Sequence, residues 1–448
     1  MMNTPIVDFV RDYVNHNNLR LHMPGHKGKN ILGFEQFDIT EISGADLLYS
    51  ADGIIKESQN NASELFGTQK TVYSCEGSSL CIRAMLCLLK MYAQHKKETT
   101  LIFAGRNAHK AFLNALAVLD LEVEWLLPKD NATLISCNIT ADYLEEKISS
   151  AAVRPTAVYI TSPDYLGNIL DIDAISAVCK KYGVVLIVDN AHGAYLKFLP
   201  QSSHPIDLGA DICCDSAHKT LPVITGGAYL HISKNADPFF KENADNAMAL
   251  FASTSPSYLI LQSLDMANKY ISDGYNRRLA DFVIETEALK KELKEYGYQV
   301  FSNEPIKITI APKSYGYSGI ELSEILEQKG IICEFADPDF VVIMLTPEIE
   351  KNSIEKLKSA LFSIDTRNPI ISFPPKAVIG KKRMTVKEAF FSASEEIETK
   401  DAKGRIIADI TVSCPPAIPI AICGEKIDSE SVKAFEYYGI TKCRVVKE

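Results

Sequence analysis

The sequence predicts an α/β fold, with a mostly parallel sheet in a large first domain and a smaller α+β domain after it. Three observations carry that reading. Short apolar runs alternate with amphipathic segments from about residue 60 to residue 232, which is the pattern of βαβ units. One of these runs, Val184–Val188, is apolar throughout, as a strand covered on both faces must be. After Pro256 the texture changes to two long helical patterns and then to mixed strands and helices.

Taken in order, residues 1–20 read as a short amphipathic helix. It leads into LHMPGHKGKN, which Gly and Pro mark as a loop. Strands are expected at Leu101–Ala104, Val123–Leu127, Ala157–Thr161, Val184–Val188, Asp211–Cys214 and Gly227–Ile232. Helices are expected at Asn107–Leu119, Ala141–Ser150 and Asp173–Tyr182, the last closed by Gly183. Tyr258–Tyr270 and Arg278–Tyr296 read as two further helices. The second gathers Phe282, Leu289, Leu293 and Tyr296 on one side and stops at Gly297. Strands Lys307–Ala311 and Phe340–Leu345 then mix with helices Ile320–Lys329 and Asn352–Ser363. The Pro-containing stretch ISFPPKAVIGKKR precedes a C-terminal segment of short strands, and no internal repeat is found.

Composition narrows the function classes. The 448 residues are 46% hydrophobic and 23% charged, which is globular usage and excludes a wholly disordered chain. The net charge is −10 and there is no Lys/Arg run, so neither nucleic acid nor an anionic membrane is an expected partner. The eleven cysteines include no C-x-x-C pair, and Cys75, Cys81 and Cys87 recur at a spacing that suits no zinc site. Reduced thiols in a cytoplasmic protein, with no metal, are expected. The N-terminus lacks a long apolar h-region, and no stretch reaches the roughly 20 apolar residues that span a bilayer.

Chemistry concentrates at two strand ends. Asp189 follows the buried run Val184–Val188, at the end of a parallel strand where open α/β sheets bind ligands. It could cap a following helix, or it could face a cationic ring nitrogen. Lys219, in DSAHKTLP, lies just past an apolar strand, where a solvated surface is not expected. A desolvated lysine loses its proton more readily and can form a Schiff base. An aspartate and a lysine on two strand ends form the pair that pyridoxal 5'-phosphate needs. The phosphate needs a cradle, and Gly77-Ser78-Ser79 at a helix start offers N–H groups and hydroxyls, unless the serines only cap that helix. Ser216 and His218 stand beside the lysine, and His109 opens a helix after a strand, where its ring could lie over a pyridine.

Seven motifs then carry a resemblance. LHMPGHKG, CEGSSL, RNAHKA, VDNAHGAY, DSAHKTLP and STSPSYL occur in that order, and CPPAIPIAICGE follows near the C-terminus. The chain resembles the Orn/Lys/Arg decarboxylases, fold type I pyridoxal-phosphate enzymes, in a short form without their N-terminal receiver-like domain. The resemblance implies a PLP-dependent transferase-like major domain at 21–297, after an arm at 1–20. A small α+β domain at 298–370 and a decarboxylase-type C-terminal domain at 371–448 follow. It implies that Lys219 forms the Schiff base, Asp189 pairs with the pyridine nitrogen and His109 stacks on the ring. Ser78, Ser79, Ser216 and His218 hold the phosphate beside Gly77, and Ala191 and His192 lie against the ring. Thr254 or Ser255 reaches the phosphate of a neighbouring subunit, so a homodimer with a shared site is expected. Glu425 matches a carboxylate near the distal amine of a basic amino-acid substrate. Lys219 or His218 returns the proton to Cα.

The sequence also departs from the family pattern. Asn190 stands where Glu is frequent, Glu76 where Asn is frequent, Tyr195 where a second His is common, and Ala417 where Gly is frequent. These changes leave the expected cofactor site intact and bear on the substrate. The expected reaction is decarboxylation of arginine, lysine or ornithine. A PLP-dependent aminotransferase or lyase is the alternative, and Arg367, Arg383 and Arg405 are available to bind an α-carboxylate. Retention of both Asp189 and Lys219 speaks against an inactive homologue. No G-x-G-x-x-G stands at a strand–helix turn and no P-loop spacing occurs.

Overall fold

The computed structural model describes residues 2–128, 133–377, 379–410, 413–414 and 418–447. Seven strands run through the larger part of the chain. They are β1 (Lys70–Ser74), β2 (Leu101–Gly105), β3 (Glu122–Leu126), β4 (Ala157–Thr161), β5 (Val185–Asp189), β6 (Ile212–Asp215) and β7 (Ala228–Ile232). The chain divides into two compact units. One comprises Met1–Thr100 and Cys179–Arg278, the other Leu101–Val178 and Leu279–Glu448.

In the first unit the strands lie in the order β1-β7-β6-β5. β5 and β6 are parallel, with Asp189 opposite Cys214, while β7 runs antiparallel to both β6 and β1. Every residue of β6 and β7 is buried, so continuous apolar runs are what these strands require. The helices of this unit include α1 (Pro5–Asn15), α2 (Ile54–Phe66) and α3 (Gly77–Lys96). Pro5 suits the start of α1, where its missing N–H costs nothing. The Ile6 and Val7 N–H groups donate to the buried Asp265 carboxylate at 2.9 and 3.0 Å, and the Ser58 hydroxyl donates to it at 2.6 Å. The N-terminal arm is thereby fastened within this unit.

In the second unit β4, β2 and β3 are parallel, with Ile102 opposite Val123 and Ala157. Helix α4 (Lys110–Leu119) follows β2. A separate antiparallel sheet joins β8 (Gln299–Phe301), β9 (Lys307–Ala311), β10 (Phe335–Ala336) and β11 (Val341–Met344) in the order β10-β11-β9-β8. Phe335 and Val342 of this sheet share a core cluster with Ile407, Ile420, Phe435 and Val445. The fold is the expected one: a mostly parallel α/β arrangement with a smaller α+β part.

Local differences have local causes. β5 and β6 run one residue further than their apolar patterns and end on Asp189 and Asp215. The ladder continues past them, with the Asn190 N–H donating to the Cys214 carbonyl at 3.0 Å. Helix α4 starts at Lys110, three residues later than expected, because His109 takes the capping position and its Nδ1 accepts the Ala111 N–H at 3.1 Å. The sequence reading missed α2, β1 and the helix Pro238–Ala249. The ten cysteines whose side chains are described are all free. No helix among the described residues is long and apolar enough to cross a membrane.

Candidate active site

Asp189 is the last residue of β5 and is 2% exposed. Its Oδ1 accepts the Ala191 N–H at 3.2 Å and the Cys214 thiol at 3.6 Å. Burial first, and then the nearby Asp189 charge, push the Cys214 thiol well above its ordinary range, so it stays a donor. Asp189 therefore closes a tight turn and does not cap a helix; the short helix Ala194–Phe198 has Gly193 at its cap and no side-chain cap. The turn closes with the Gly193 N–H on the Asn190 carbonyl at 2.8 Å. A Cβ on Gly193 would sit 2.0 Å from Asn190 Oδ1, which accounts for the glycine of VDNAHG.

Lys219 stands on the one-turn helix Ala217–Thr220, directly after β6, and is half-buried. Its Nζ lies 3.0 Å from His192 Nε2, and His192 is buried beside Ala191. His218 Nδ1 donates to the Gly227 carbonyl at 3.0 Å. The Ser216 hydroxyl donates to Ser78 Oγ at 2.8 Å, and the Ser216 N–H donates to the Ala191 carbonyl at 3.3 Å. The structure thus brings together the loops after β5 and β6 and the start of α3.

The start of α3 carries Gly77 followed by the Ser78 and Ser79 hydroxyls. Its capping position is Glu76, which makes no side-chain cap, so the capping role open to Ser78 and Ser79 is not taken. No acid lies in the first turn itself, so Glu76 at the capping position is the acid of this segment that meets the positive end of the helix dipole. Gly77 has φ +69°, a conformation that favours glycine, and an added Cβ there would meet nothing within 4 Å. Glu76 Oε1 accepts the Ser253 N–H at 2.7 Å, tying down the STSP segment that carries the exposed Thr254 and Ser255. The Ser255 N–H donates to Ser253 Oγ at 3.1 Å. The donor set fits a phosphorylated pyridine aldehyde. A buried carboxylate can take the ring nitrogen, an amine can take the aldehyde, and hydroxyls at a helix start with open space can take the phosphate.

His109 and Glu425 belong to the second unit. His109 is half-buried and caps α4. Glu425 is 4% exposed and its Oε2 accepts the Ile422 N–H at 3.0 Å. Burial pushes its carboxyl above the ordinary range, against the opposing pull of Arg106. It lines a cavity of about 200 Å³ together with Glu124, Trp125, Ile379 and Met384. The fully buried Arg106 donates to the Pro419 and Ile420 carbonyls at 2.8 and 2.9 Å, which pins the segment leading to Glu425. Ala417 lies outside the described residues.

Comparison with known proteins places this arrangement. The major-domain profile of the Orn/Lys/Arg decarboxylases matches residues 4–301, and the C-terminal-domain profile matches residues 373–443. The chain belongs to the Orn/Lys/Arg decarboxylase family. An uncharacterized protein of Bacillus subtilis is 30% identical over 96% of this chain and 93% of its own length. A B. subtilis arginine decarboxylase is 28% identical over 96% of this chain and 92% of its own. The solved constitutive lysine decarboxylase of Escherichia coli superposes with a TM-score of 0.77 at 19% identity, covering 99% of this chain and 82% of the other. The serine palmitoyltransferase of Sphingomonas wittichii shares the fold at a TM-score of 0.57 and 13% identity, over 81% of this chain and 83% of its own.

Within this decarboxylase some site neighbours were not singled out from sequence. Nothing in composition sets Cys214 apart from the other buried thiols, and Arg106 stands just before the expected helix Asn107–Leu119. A histidine inside the apolar strand Ala228–Ile232 was the available signal for a buried polar cluster behind the site, because a buried polar group requires partners.

Proposed function

We propose that the protein decarboxylates a basic amino acid, arginine, lysine or ornithine, using pyridoxal 5'-phosphate, and releases the amine and carbon dioxide. The observation that carries this reading is the buried carboxylate of Asp189 at one strand end, with the Lys219 amine against His192 just beyond the next. When bound, the cofactor supplies an electron-accepting ring for the pair left by the departing carboxylate.

The chain's own residues do the rest. Lys219 Nζ would hold the cofactor through its aldehyde, the position a substrate amine would have to take. Asp189, kept in register by the Ala191 N–H and the Cys214 thiol, would hold the proton on the ring nitrogen. His109 would lie on the ring face, and Ala191 and His192 against its edge. Gly77, Ser78, Ser79, Ser216 and His218 would hold the phosphate, completed by Thr254 or Ser255 of a second copy in a homodimer. Lys219, with His192 Nε2 3.0 Å from its Nζ, would be the group to return a proton to Cα; His218 is the other candidate donor. Glu425, buried at the wall of its cavity, suits a cationic distal group. Two of the three arginines that an aminotransferase could use are engaged elsewhere. Arg405 pairs with Glu395 at 2.7 Å, and Arg367 lies 4.2 Å from the Tyr317 ring centre.

The test is to incubate the purified protein with pyridoxal phosphate and each of the three amino acids, and to identify products by mass. One of them should yield its amine and carbon dioxide. A keto acid in place of the amine, or no product from any of the three, would sink the reading.

A further inference from the structure

We propose that Asp215, backed by His204 and His231 and latched to Asn190, is a positioning residue that fixes the Asp189 loop against the Lys219 loop. The inference rests on the decarboxylase reading above.

Strand alternation separates two faces. Asp189 and Cys214, opposite one another, share one face, and the next residues along, Asn190 and Asp215, turn to the other. On that other face the Asp215 carboxylate collects three hydrogen bonds. His204 Nε2 and His231 Nε2 donate to Oδ2 at 3.0 and 3.1 Å, and Asn190 Nδ2 donates to Oδ1 at 2.6 Å. All four side chains belong to residues at 0% exposure. Phe66 closes the cluster from α2, with ring centres 4.5 Å from His231 and 5.7 Å from His204.

The proton positions follow from the outer nitrogens. His204 Nδ1 accepts the Ile206 N–H at 3.3 Å, so its proton sits on Nε2 and points at Asp215. His231 Nδ1 lies 2.9 Å from Thr71 Oγ1, which is 2.8 Å from Thr68 Oγ1, so a hydroxyl chain serves that side. Three ligand-type side chains converge here, yet the His204 nitrogen that meets Asp215 is a donor. The cluster is a hydrogen-bonded hub rather than a cation site. Burial opposes the charge on Asp215, but the two imidazoles outweigh it and hold the carboxyl well below its ordinary range.

A buried carboxylate with three donors resists displacement, because losing any one leaves a polar group unpaired out of water. The two ends of this latch are chemically adjacent to the site. Asn190 directly follows Asp189, and Asp215 directly precedes Ser216, which bonds Ser78. The Ser216 N–H on the Ala191 carbonyl adds a backbone rung between the same loops. Asn190, a departure from the family pattern, thus supplies the link, and Gly193 leaves room for its carboxamide.

The test uses the full-length protein with bound pyridoxal phosphate and three variants: Asn190→Ser, Gly193→Ala and Asp215→Asn. Each should keep its far-ultraviolet circular dichroism yet weaken the visible dichroism of the bound cofactor. kcat should fall ~10- to 100-fold with little change in KM, because misplacement rather than substrate contact is the cause. If Asp215→Asn does not fold, Asn190→Ser alone decides. A folded Asn190→Ser protein with unchanged cofactor dichroism, cofactor affinity and kcat overturns the proposal. So does a stoichiometric metal ion lost on His204→Ala. Wild-type protein that takes up no pyridoxal phosphate overturns the decarboxylase reading itself, and this is seen before any variant is made.

Discussion

Two lysines, one in each unit, contrast an amine in a buried ion pair with the amine proposed above to hold the cofactor. Lys307 is 1% exposed and meets Glu304, also 1% exposed, at 2.7 Å. Lys219 is only half-buried and meets an imidazole, His192 Nε2, at 3.0 Å. A carboxylate neighbour supplies a counter-charge, whereas an imidazole nitrogen is a hydrogen-bonding partner that can also exchange a proton. The more deeply buried lysine is thus the ion-paired one. Depth of burial alone therefore does not separate the two amines; their neighbours differ in kind.

That contrast can be broken most sharply at Lys219. Lys219→Ala should remove the visible absorbance of bound cofactor and lower turnover by at least ~10²-fold, while the unfolding midpoint stays near that of the apo wild type. Absorbance and steady-state rates check this. Lys307→Ala should do the reverse. It strands the Glu304 carboxylate and should cost about 3–5 kcal/mol of stability with the cofactor absorbance retained, as read from denaturant unfolding. A Lys307→Met, Glu304→Leu double variant should recover most of that loss, because both charges are then removed. Arg106→Ala should cost less, about 1–3 kcal/mol, by leaving the Pro419 and Ile420 carbonyls without their donor. Limited proteolysis should then cut first near that segment.

The smallest effect concerns pH. Burial pushes the Asp265 carboxyl up to about 6, against the Ser58, Val7 and Ile6 donors that favour its charge. A folded-state value above the unfolded one means the folded protein binds the extra proton. Its stabilising contribution is therefore full below the ordinary carboxylate range and is lost as pH rises through about 6. Between pH 7 and pH 5 this group should raise the unfolding midpoint, and Asp265→Asn should flatten that part of the profile. A variant with an unchanged profile would assign the dependence to other groups.

Much of this was legible because it is local. The run ending at Val188 and the Gly-Ser-Ser of residues 77–79 announce strand and helix ends through composition alone, and the strand boundaries erred by one residue. Strand β1 was not legible. Lys70, Thr71 and Ser74 make it look polar, and the buried Thr71 finds its partners in Thr68 and in His231 of the neighbouring strand β7, which is far away in sequence. Helix α2 was hidden in the same way by a polar stretch whose buried Ser58 finds partners in Tyr73 and Asp265. His109 was placed inside a helix because side-chain capping by histidine leaves no strong mark in composition. The Asp215 hub draws on four separate segments, so no window of sequence contains it.

The pairing of β1 with β7 also governs how such a chain can be made. Tyr73 meets Tyr229, and Ser74 meets Ala228, across a long stretch of intervening sequence. A ribosome exposes β1 and the apolar flank of α3 well before their mates emerge. During that interval an unpaired strand rim waits in solution, open to wrong neighbours. Speed of synthesis and shielding by chaperones would then govern the yield of native protein, whatever the finished molecule's resistance to heat.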